Sequence, residues 1–369
     1  MTLTSRTVAA HLAREVADGR MSFDAAQQAA AVRLDRLGAA LHERQRGSRL
    51  GRGLRWLRRY ASTRAPHGVY LWGGVGRGKT QLMDLFYETL DFPERERQHF
   101  YLLMRSVHRQ LATLQRRTRP LDIVAARLAA HARVVCLDEF FVADIGDAMI
   151  LAGLLEGLIR RGVALVATSN LRPQELYKNG LQRQRFLPAI DLIESHLDVV
   201  HLNGPVDYRL RELERAHIYF DSARPDAHAQ LDRLFGALTR GAAGGPASIL
   251  IEGRAVRAVK IAPGLAWFEF RELCESARSA NDYLELARLY HTIFVANVPL
   301  LTRRSEDAAR RFLMLIDALY DRGVNVVVSA AAAPASLYQG EKLPFEFDRA
   351  ASRLIEMQSP RYLAAEHRP

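Results

Sequence analysis

The stretch "GVYLWGGVGRGKTQLMDLFYETL", from Gly68 to Leu90, decides the fold. It opens with a short apolar strand, GVYLWG, and closes with a helix from Lys79 to Leu90 that carries Leu82, Phe86 and Leu90 on one face. Between the two, Gly73, Gly78, Lys79 and Thr80 satisfy G-x-x-x-x-G-K-[ST], in the strand-to-helix setting that this chemistry requires. Glycines let a backbone fold around phosphate oxygens, and a helix N-terminus points its free N–H groups at them. The expected phosphate cradle therefore comprises Gly73, Gly74, Val75, Gly76, Arg77, Gly78, Lys79, Thr80 and Gln81. Lys79 is expected on the β- and γ-phosphates, and Thr80 as a ligand of Mg2+.

The other half of such a site comes from another strand end. "RVVCLDE" supplies an apolar strand followed by Asp138 and Glu139. Asp138 is expected to hold the Mg2+ hydration shell and Glu139 to polarise the attacking water, which favours ATP hydrolysis over simple nucleotide storage. Asn170, at the end of "VALVATSN", is expected beside the γ-phosphate as a polar sensor of that water; a turn cap is its bland alternative. In "GLQRQRF", Arg183 and Arg185 are expected on the next helix, where one of them, Arg185 first, reaches a neighbouring subunit's site as a finger. Either is also read as a plain surface arginine. No N-K-x-D guanine-reading motif occurs, so ATP is expected rather than GTP.

Working outward, the first sixty residues read as helices, with Leu34, Leu37 and Leu41 on one stripe. From Gly68 on, strands alternate with helices. "QHFYLL" reads as a second strand, "VHRQLATL" as a helix, "AMILAGLLEGLIRR" as another, and "LDVVHLNG" as a fifth strand. Strands apolar nearly throughout argue a parallel sheet covered by helices on both faces. The expected domains are a helical region over 1–64, a phosphate-loop α/β ATPase core over 65–210, and a mixed α/β lid or accessory region over 211–369. The glycine-rich stretch "RGAAGGPAS", Arg240 to Ser248, reads as a break between substructures. Beyond it "ILIEGRAVRAVKIAPGLAWFEF" reads as a β-meander, and "YHTIFVANVP" and "VNVVVSA" as strands.

Composition sets the bounds. A chain of 369 residues, 49% hydrophobic, buries a substantial core. No apolar run approaches the roughly 18 residues a membrane span needs, and the N-terminus lacks a secretory h-region. Two cysteines, Cys136 and Cys274, make no disulfide framework, so a reducing cytosol is the expected setting. The formal net charge is +11 with only four lysines, so the excess is arginine, densest between Arg33 and Arg64. Such a balance suits an acidic protein partner, anionic lipid or nucleic acid, although no nucleic-acid module is recognisable.

"LWGGVGRGKTQLMDLFY", "CLDEFFVADIGDAMIL", "TSNLRPQELYKNGLQRQRFLPAI" and "VDYRL" together resemble the ZapE/AFG-like ATPases of the AAA+ group, with further likeness in "DAAQQ" and "RLIEMQSPRYL". The resemblance implies roles for Lys79, Thr80, Asp138, Glu139 and Asn170 as above, with the finger among Arg183 and Arg185. It implies an ATP- and Mg2+-dependent cytoplasmic ATPase, homo-oligomeric, that acts on the division ring of the tubulin-like protein FtsZ, at the division site or the inner-membrane surface. Mitochondrial relatives of the family are linked to protein quality control instead. A sensor arginine from the lid is also implied, and Arg310, Arg311 and Arg349 are the candidates. One departure stands out: Phe141 occupies a position where the resemblance implies glutamine. A helicase-loader type of DNA-handling ATPase and a nucleotide-switched adaptor remain the alternative readings.

The chain also echoes itself. "RGVALVATSNLRPQELYKNGLQRQRF" and "RGVNVVVSAAAAPASLYQGEKLPFEF" match at a constant offset: Arg161, Gly162, Val163, Pro173, Tyr177 and Phe186 fall on Arg322, Gly323, Val324, Pro334, Tyr338 and Phe347. The site residues do not survive, since Asn170 falls on Ala331, Arg183 on Pro344 and Arg185 on Glu346. The expectation is a second strand–helix–strand unit that is chemically blank, against the alternative that two tight βα turns look alike by necessity.

Overall fold

A computed structural model describes residues 7–18, 24–50, 65–74, 76–115, 117–142, 144–203, 210, 213, 217–239, 245–365 and 367, with side chains excepted at 46–50. Much of the arginine-rich stretch, Val75, most of "VDYRL" and residues 240–244 therefore lie outside the described residues. The chain falls into two units, Met1–Val206 and Asp207–Pro369.

In the first unit, helices α1 (Val8–Ala17) and α2 (Ala25–Leu50) precede β1 (Gly68–Trp72), α3 (Lys79–Thr89), β2 (Arg95–His99), α4 (Phe100–Thr113), α5 (Pro120–His131), β3 (Val134–Asp138), α6 (Ile145–Arg160), β4 (Ala164–Ser169), α7 (Leu187–His196) and β5 (Leu197–His201). The five strands are all parallel in the order β2-β3-β4-β1-β5. The strand carrying the glycine loop is thus separated from the acidic strand β3 by β4, whose own end carries Asn170.

Strand periodicity sorts the core into two layers. Tyr70, Val135, Leu137, Leu165 and Ala167 face a cluster built with α4 to α7. Their sequence neighbours Val69, Leu71, Val134, Cys136, Ala164 and Val166 face the opposite cluster, which contains Leu34, Leu37 and Leu41 of α2 together with Leu82 and Phe86 of α3. The predicted leucine stripe is therefore the face by which the N-terminal helices cover the sheet.

The second strand differs from its sequence reading. "QHFYLL" does not form it; the strand is Arg95–His99, and Phe100 begins α4. The apolar residues Phe100, Leu103, Met104 and Val107 recur at helical spacing and are buried as one face of that helix. Polar β2 escapes a hydrophobicity scan because it is an edge strand whose side chains serve the site described below.

The second unit contains β6 (Tyr219–Asp221), α8 (Ala227–Leu238), β7 (Gly245–Ile251), β8 (Arg254–Ala262), β9 (Leu265–Glu269), α9 (Ala280–Leu289), β10 (Thr292–Val298), β11 (Leu301–Thr302), α10 (Glu306–Asp321), β12 (Asn325–Ala330), β13 (Tyr338–Gln339) and α11 (Pro344–Glu356). Its six-stranded sheet runs β6-β12-β10-β9-β8-β7, parallel from β6 to β9 and antiparallel through the β7–β8–β9 meander. The glycine-rich stretch does not divide this unit into substructures. Strand β6 before it pairs with β12, and Leu231, Leu234 and Phe235 of α8 share a core with Trp267 and Phe294 after it. The described part of the stretch, from Gly245 on, belongs to β7.

Candidate active site

The glycine loop is shaped by conformations that only glycine adopts cheaply. Gly73, Gly76 and Gly78 all have positive φ, and Gly73 N–H donates 3.2 Å to the Ser169 carbonyl. A Cβ on Gly73 would lie 2.6 Å from the Leu202 carbonyl oxygen. At Gly78 it would lie 2.8 Å from Gln27 Nε2, whose amide donates 2.9 Å to the Arg77 carbonyl. The loop is therefore clamped from the end of β5 and from α2. The α3 helix starts at Lys79 with Gly78 as its cap and no acidic residue in its first turn, so its N-terminus is suited to an anion.

Lys79 is buried, and its ammonium donates to the carbonyls of Gly73 at 2.6 Å and Gly74 at 2.7 Å and to Asn170 Oδ1 at 2.9 Å. The structure thus brings Lys79 and Asn170 together from the start of α3 and the end of β4. Thr80 Oγ1 donates 3.0 Å to Asp138 Oδ1, which also accepts from the Thr168 hydroxyl and, at 3.2 Å, from Glu139 N–H. Thr80 and Asp138 present a hydroxyl and a carboxylate at one point, the hard-oxygen donor set that suits Mg2+. Glu139 sits in the left-handed region at φ 52°, where its N–H also donates 3.1 Å to Thr168 Oγ1. Such backbone strain in a non-glycine residue persists only where its surroundings hold it.

Several residues of this constellation were not singled out from the sequence. Arg97 of β2 reaches Asp138 Oδ2 at 3.2 Å and also pairs with Asp84 of α3. Burial lifts the Asp84 carboxyl to about 6, with Arg97 pulling the other way and Asp138 and Glu88 adding to the rise. His99, two residues along β2, places Nδ1 4.0 Å from Glu139 Oε2. Burial lowers its basicity, Asp138 opposes that, and Arg97 adds to it. Thr168, two residues before Asn170 on β4, had a signal in that spacing. Arg97 and His99 had none, because their partners are set by the β2–β3 register: Arg97 opposite Cys136, His99 opposite Asp138. Cys136 is buried, and that pushes its thiol up to about 12.

Arg183 and Arg185 do not sit on a helix but in a single 3-10 turn, Arg183–Arg185, just before α7. Pro188 at the second position of α7 fits a helix start there, so the chain must turn first. The Arg183 guanidinium donates to its own loop, to the Leu176 carbonyl at 2.7 Å and the Gln174 carbonyl at 2.6 Å. Arg185 is exposed and makes no side-chain hydrogen bond or ion pair among the described residues. Arg310, Arg311 and Arg349 belong to the second unit; there Arg311 donates 3.0 Å to the Cys274 carbonyl and Arg349 pairs with Asp317 at 2.8 Å. Val75 lies outside the described residues, and Phe141 is half-buried after the acidic pair. No helix among the described residues is long and apolar enough to cross a membrane.

The chain is 48% identical over 316 residues to the protein named cell division protein ZapE of Escherichia coli K12, covering 85% of this chain and 84% of that one. It is 37% identical over 343 residues to lactation elevated protein 1 homolog B of Danio rerio, covering 80% and 68%. A solved structure of the DnaC helicase loader aligns over 50% of this chain and 95% of its own at 12% identity and a TM-score of 0.34, and at that score the likeness carries no argument about function. The model of the AFG1-like ATPase family matches residues 6–366. The chain belongs to the AFG1-like ATPase family and is an ATP-hydrolysing enzyme.

Proposed function

We propose that this protein is a Mg2+-dependent ATPase whose turnover remodels a protein partner, the FtsZ division ring, in a homo-oligomer. The observation that carries the reading is the meeting of Lys79 and Thr80, at the start of α3, with Asp138 and Asn170, at the ends of β3 and β4, around a glycine loop clamped on both sides. The division-ring partner rests on the 48% identity to the protein named cell division protein ZapE. Placement at the division site or the inner-membrane surface is part of the same proposal.

In this reading the loop N–H groups and the α3 N-terminus bind the phosphates, and Lys79 leaves its loop carbonyls for the phosphate oxygens. Thr80 and Asp138 hold Mg2+, which when bound neutralises charge on the phosphates. Glu139 takes a proton from the attacking water, and Asn170 orients that water. Arg185, exposed and unengaged, is the better finger toward a neighbouring subunit, since the Arg183 fork is already committed to two carbonyls of its own loop. The test is steady-state ATP hydrolysis against protein concentration, with Glu139→Gln and Arg185→Ala beside the native chain. Specific activity that rises with concentration and is lost in both variants supports a shared site. Activity that is flat and insensitive to Arg185 removes the finger and the oligomer with it. Stimulation by FtsZ filaments, and none by duplex or single-stranded DNA, is the expected partner response.

A further inference from the structure

Helix α2 buries one stripe, Ala30, Ala31, Leu34, Leu37 and Leu41, against the first sheet and α3. Gln27 lies on that same stripe, at i−7 from Leu34, and is itself buried. A buried amide among apolar neighbours is costly unless it is hydrogen-bonded. Its partner is the glycine loop, where Gln27 Nε2 donates 2.9 Å to the Arg77 carbonyl. Asp24 fixes the start of α2, accepting from Ala26 N–H at 2.8 Å and Gln27 N–H at 3.1 Å. Further along α2, Asp35 accepts from Val8 N–H at 2.7 Å and Ala9 N–H at 3.1 Å, which ties down the start of α1. The two N-terminal helices are thus joined to each other, and Gln27 joins them to the loop.

That last bond sets a direction. A trans peptide is planar, and its C=O and N–H point opposite ways. Holding the Arg77 carbonyl toward α2 therefore turns the Gly78 N–H away from α2. The Gly78 N–H donates to no backbone carbonyl outside the regular helices and strands among the described residues, so it is presented at the start of α3 as an open donor for an anion. Glycine at φ 78° does not hold such an orientation by itself, because other conformations lie close in energy. Glycine is also what lets the amide approach, since a Cβ there would lie 2.8 Å from Gln27 Nε2.

We propose that Gln27 is a positioning residue for the nucleotide: it fixes the Arg77–Gly78 peptide so that the Gly78 N–H is aimed at phosphate before ATP arrives. The α1–α2 pair is through that amide a working part of the phosphate site. The inference rests on the reading of the glycine loop as the phosphate cradle. A donor already aimed binds more tightly than one that must be ordered on binding. The phosphate stays on that donor in the ground state and the transition state alike, so losing the aim raises KM and leaves kcat in place.

The experiment compares Gln27→Met, Gln27→Asn and Lys79→Ala with the native full chain, by binding of ADP, binding of inorganic tripolyphosphate and steady-state ATP kinetics. Methionine keeps the side-chain length and suits the buried stripe but donates nothing. Asparagine keeps the amide but is one methylene too short to reach. Both are expected to weaken ADP and tripolyphosphate by one common factor of about 5, what a single hydrogen bond contributes. KM is expected to rise by that factor, with kcat within about twofold. The thermal midpoint of unliganded Gln27→Met is expected within about 2 °C of the native chain. Should the methionine variant fail to fold, the asparagine variant decides on the same readouts. Weaker ADP beside unchanged tripolyphosphate would make Gln27 a reader of the base, and overturns the proposal. Unchanged affinities overturn it too, as does a lowered kcat at unchanged KM. A Lys79→Ala chain that binds tripolyphosphate like the native one removes the phosphate cradle and this inference together, whereas lost binding there beside an unaffected Gln27→Met removes Gln27 alone.

Discussion

The first unit's α6 and β4 have counterparts in the second unit's α10 and β12, and the boundaries coincide residue for residue at the constant offset seen in the sequence. Both helices have 16 residues and both strands have 6. Each strand is followed at the same interval by a 3-10 turn beginning with proline, Pro173–Glu175 and Pro334–Ser336. The turn between helix and strand is also shared. Gly162 and Gly323 have φ of 78° and 65°, and Val163 and Val324 donate to the Leu158 and Leu319 carbonyls at 3.1 and 3.0 Å. Even the ring pairs recur, Tyr177 with Phe186 at 5.6 Å and Tyr338 with Phe347 at 4.3 Å. In each unit the strand pairs in parallel with a strand earlier in the chain, β4 with β3 and β12 with β10. The echo is thus a structural one, and it reaches well past the tight turn that any βα unit could share.

What differs is the chemistry at the strand ends. Strand β3 ends in Asp138, and Asn170 follows β4 to meet Lys79. Strand β10 ends in a bulge where Asn297, at φ 59°, donates 2.9 Å to Glu269, and Ala331 follows β12. Packing and turn geometry dictate the residues that the two units share. The residues they do not share are those that would touch a nucleotide. A sheet end becomes a site only when several strands deliver polar groups to one point, and one strand–helix–strand unit cannot do that alone.

The comparison can be broken most sharply at those ends. Glu139→Gln is expected to lower ATP turnover about 1,000-fold, within the range for a general base, and Asn170→Ala by a smaller factor. Glu346→Ala and Ala331→Asn, at counterpart positions of the second unit, are expected to leave turnover within about twofold; steady-state kinetics of the four variants checks this. A large loss from either second-unit change would show that the echo is not blank. In stability the two units should instead behave alike. Leu158→Ala and Leu319→Ala each remove a fully buried side chain below the shared turn, and each is expected to cost about 3 kcal/mol in urea unfolding.

A smaller effect belongs to the first unit through Asp84. Its folded pKa, about 6, lies above its ordinary value of 3.8, so folding takes up a proton between those two pH values. Stability is therefore fully present below the ordinary range and lost as pH rises through about 6, by on the order of 2 kcal/mol. Unfolding midpoints from pH 4 to 7 should show that slope, and Asp84→Asn should flatten it. The smallest effect tests the shared turn. Gly162→Ala and Gly323→Ala force a Cβ into the left-handed region, at about 1 kcal/mol each. Unequal costs in thermal unfolding would mean that the two turns are less alike than their hydrogen bonds.

The sequence by itself determined the phosphate loop, the acidic strand end, the parallel alternation and the internal echo, because each is a local pattern of residue types. Gly73, Gly78, Lys79, Thr80 and the Asp138–Glu139 pair are legible for that reason. So is the leucine stripe of α2, since helical spacing writes a buried face directly into the chain. Tertiary structure alone decided the rest. The polar strand β2 could not be read from RERQH, because its partners Asp84, Asp138 and Glu139 lie on other elements and are chosen by sheet order and register. The apolar "FYLL" beside it looked like strand until packing claimed it for α4. Likewise the difference between Arg183 and Arg185 arises only when a folded loop offers its carbonyls to one guanidinium and leaves the other in solvent. Local patterns fix what a segment can become, and only register and packing bring its side chains to their partners.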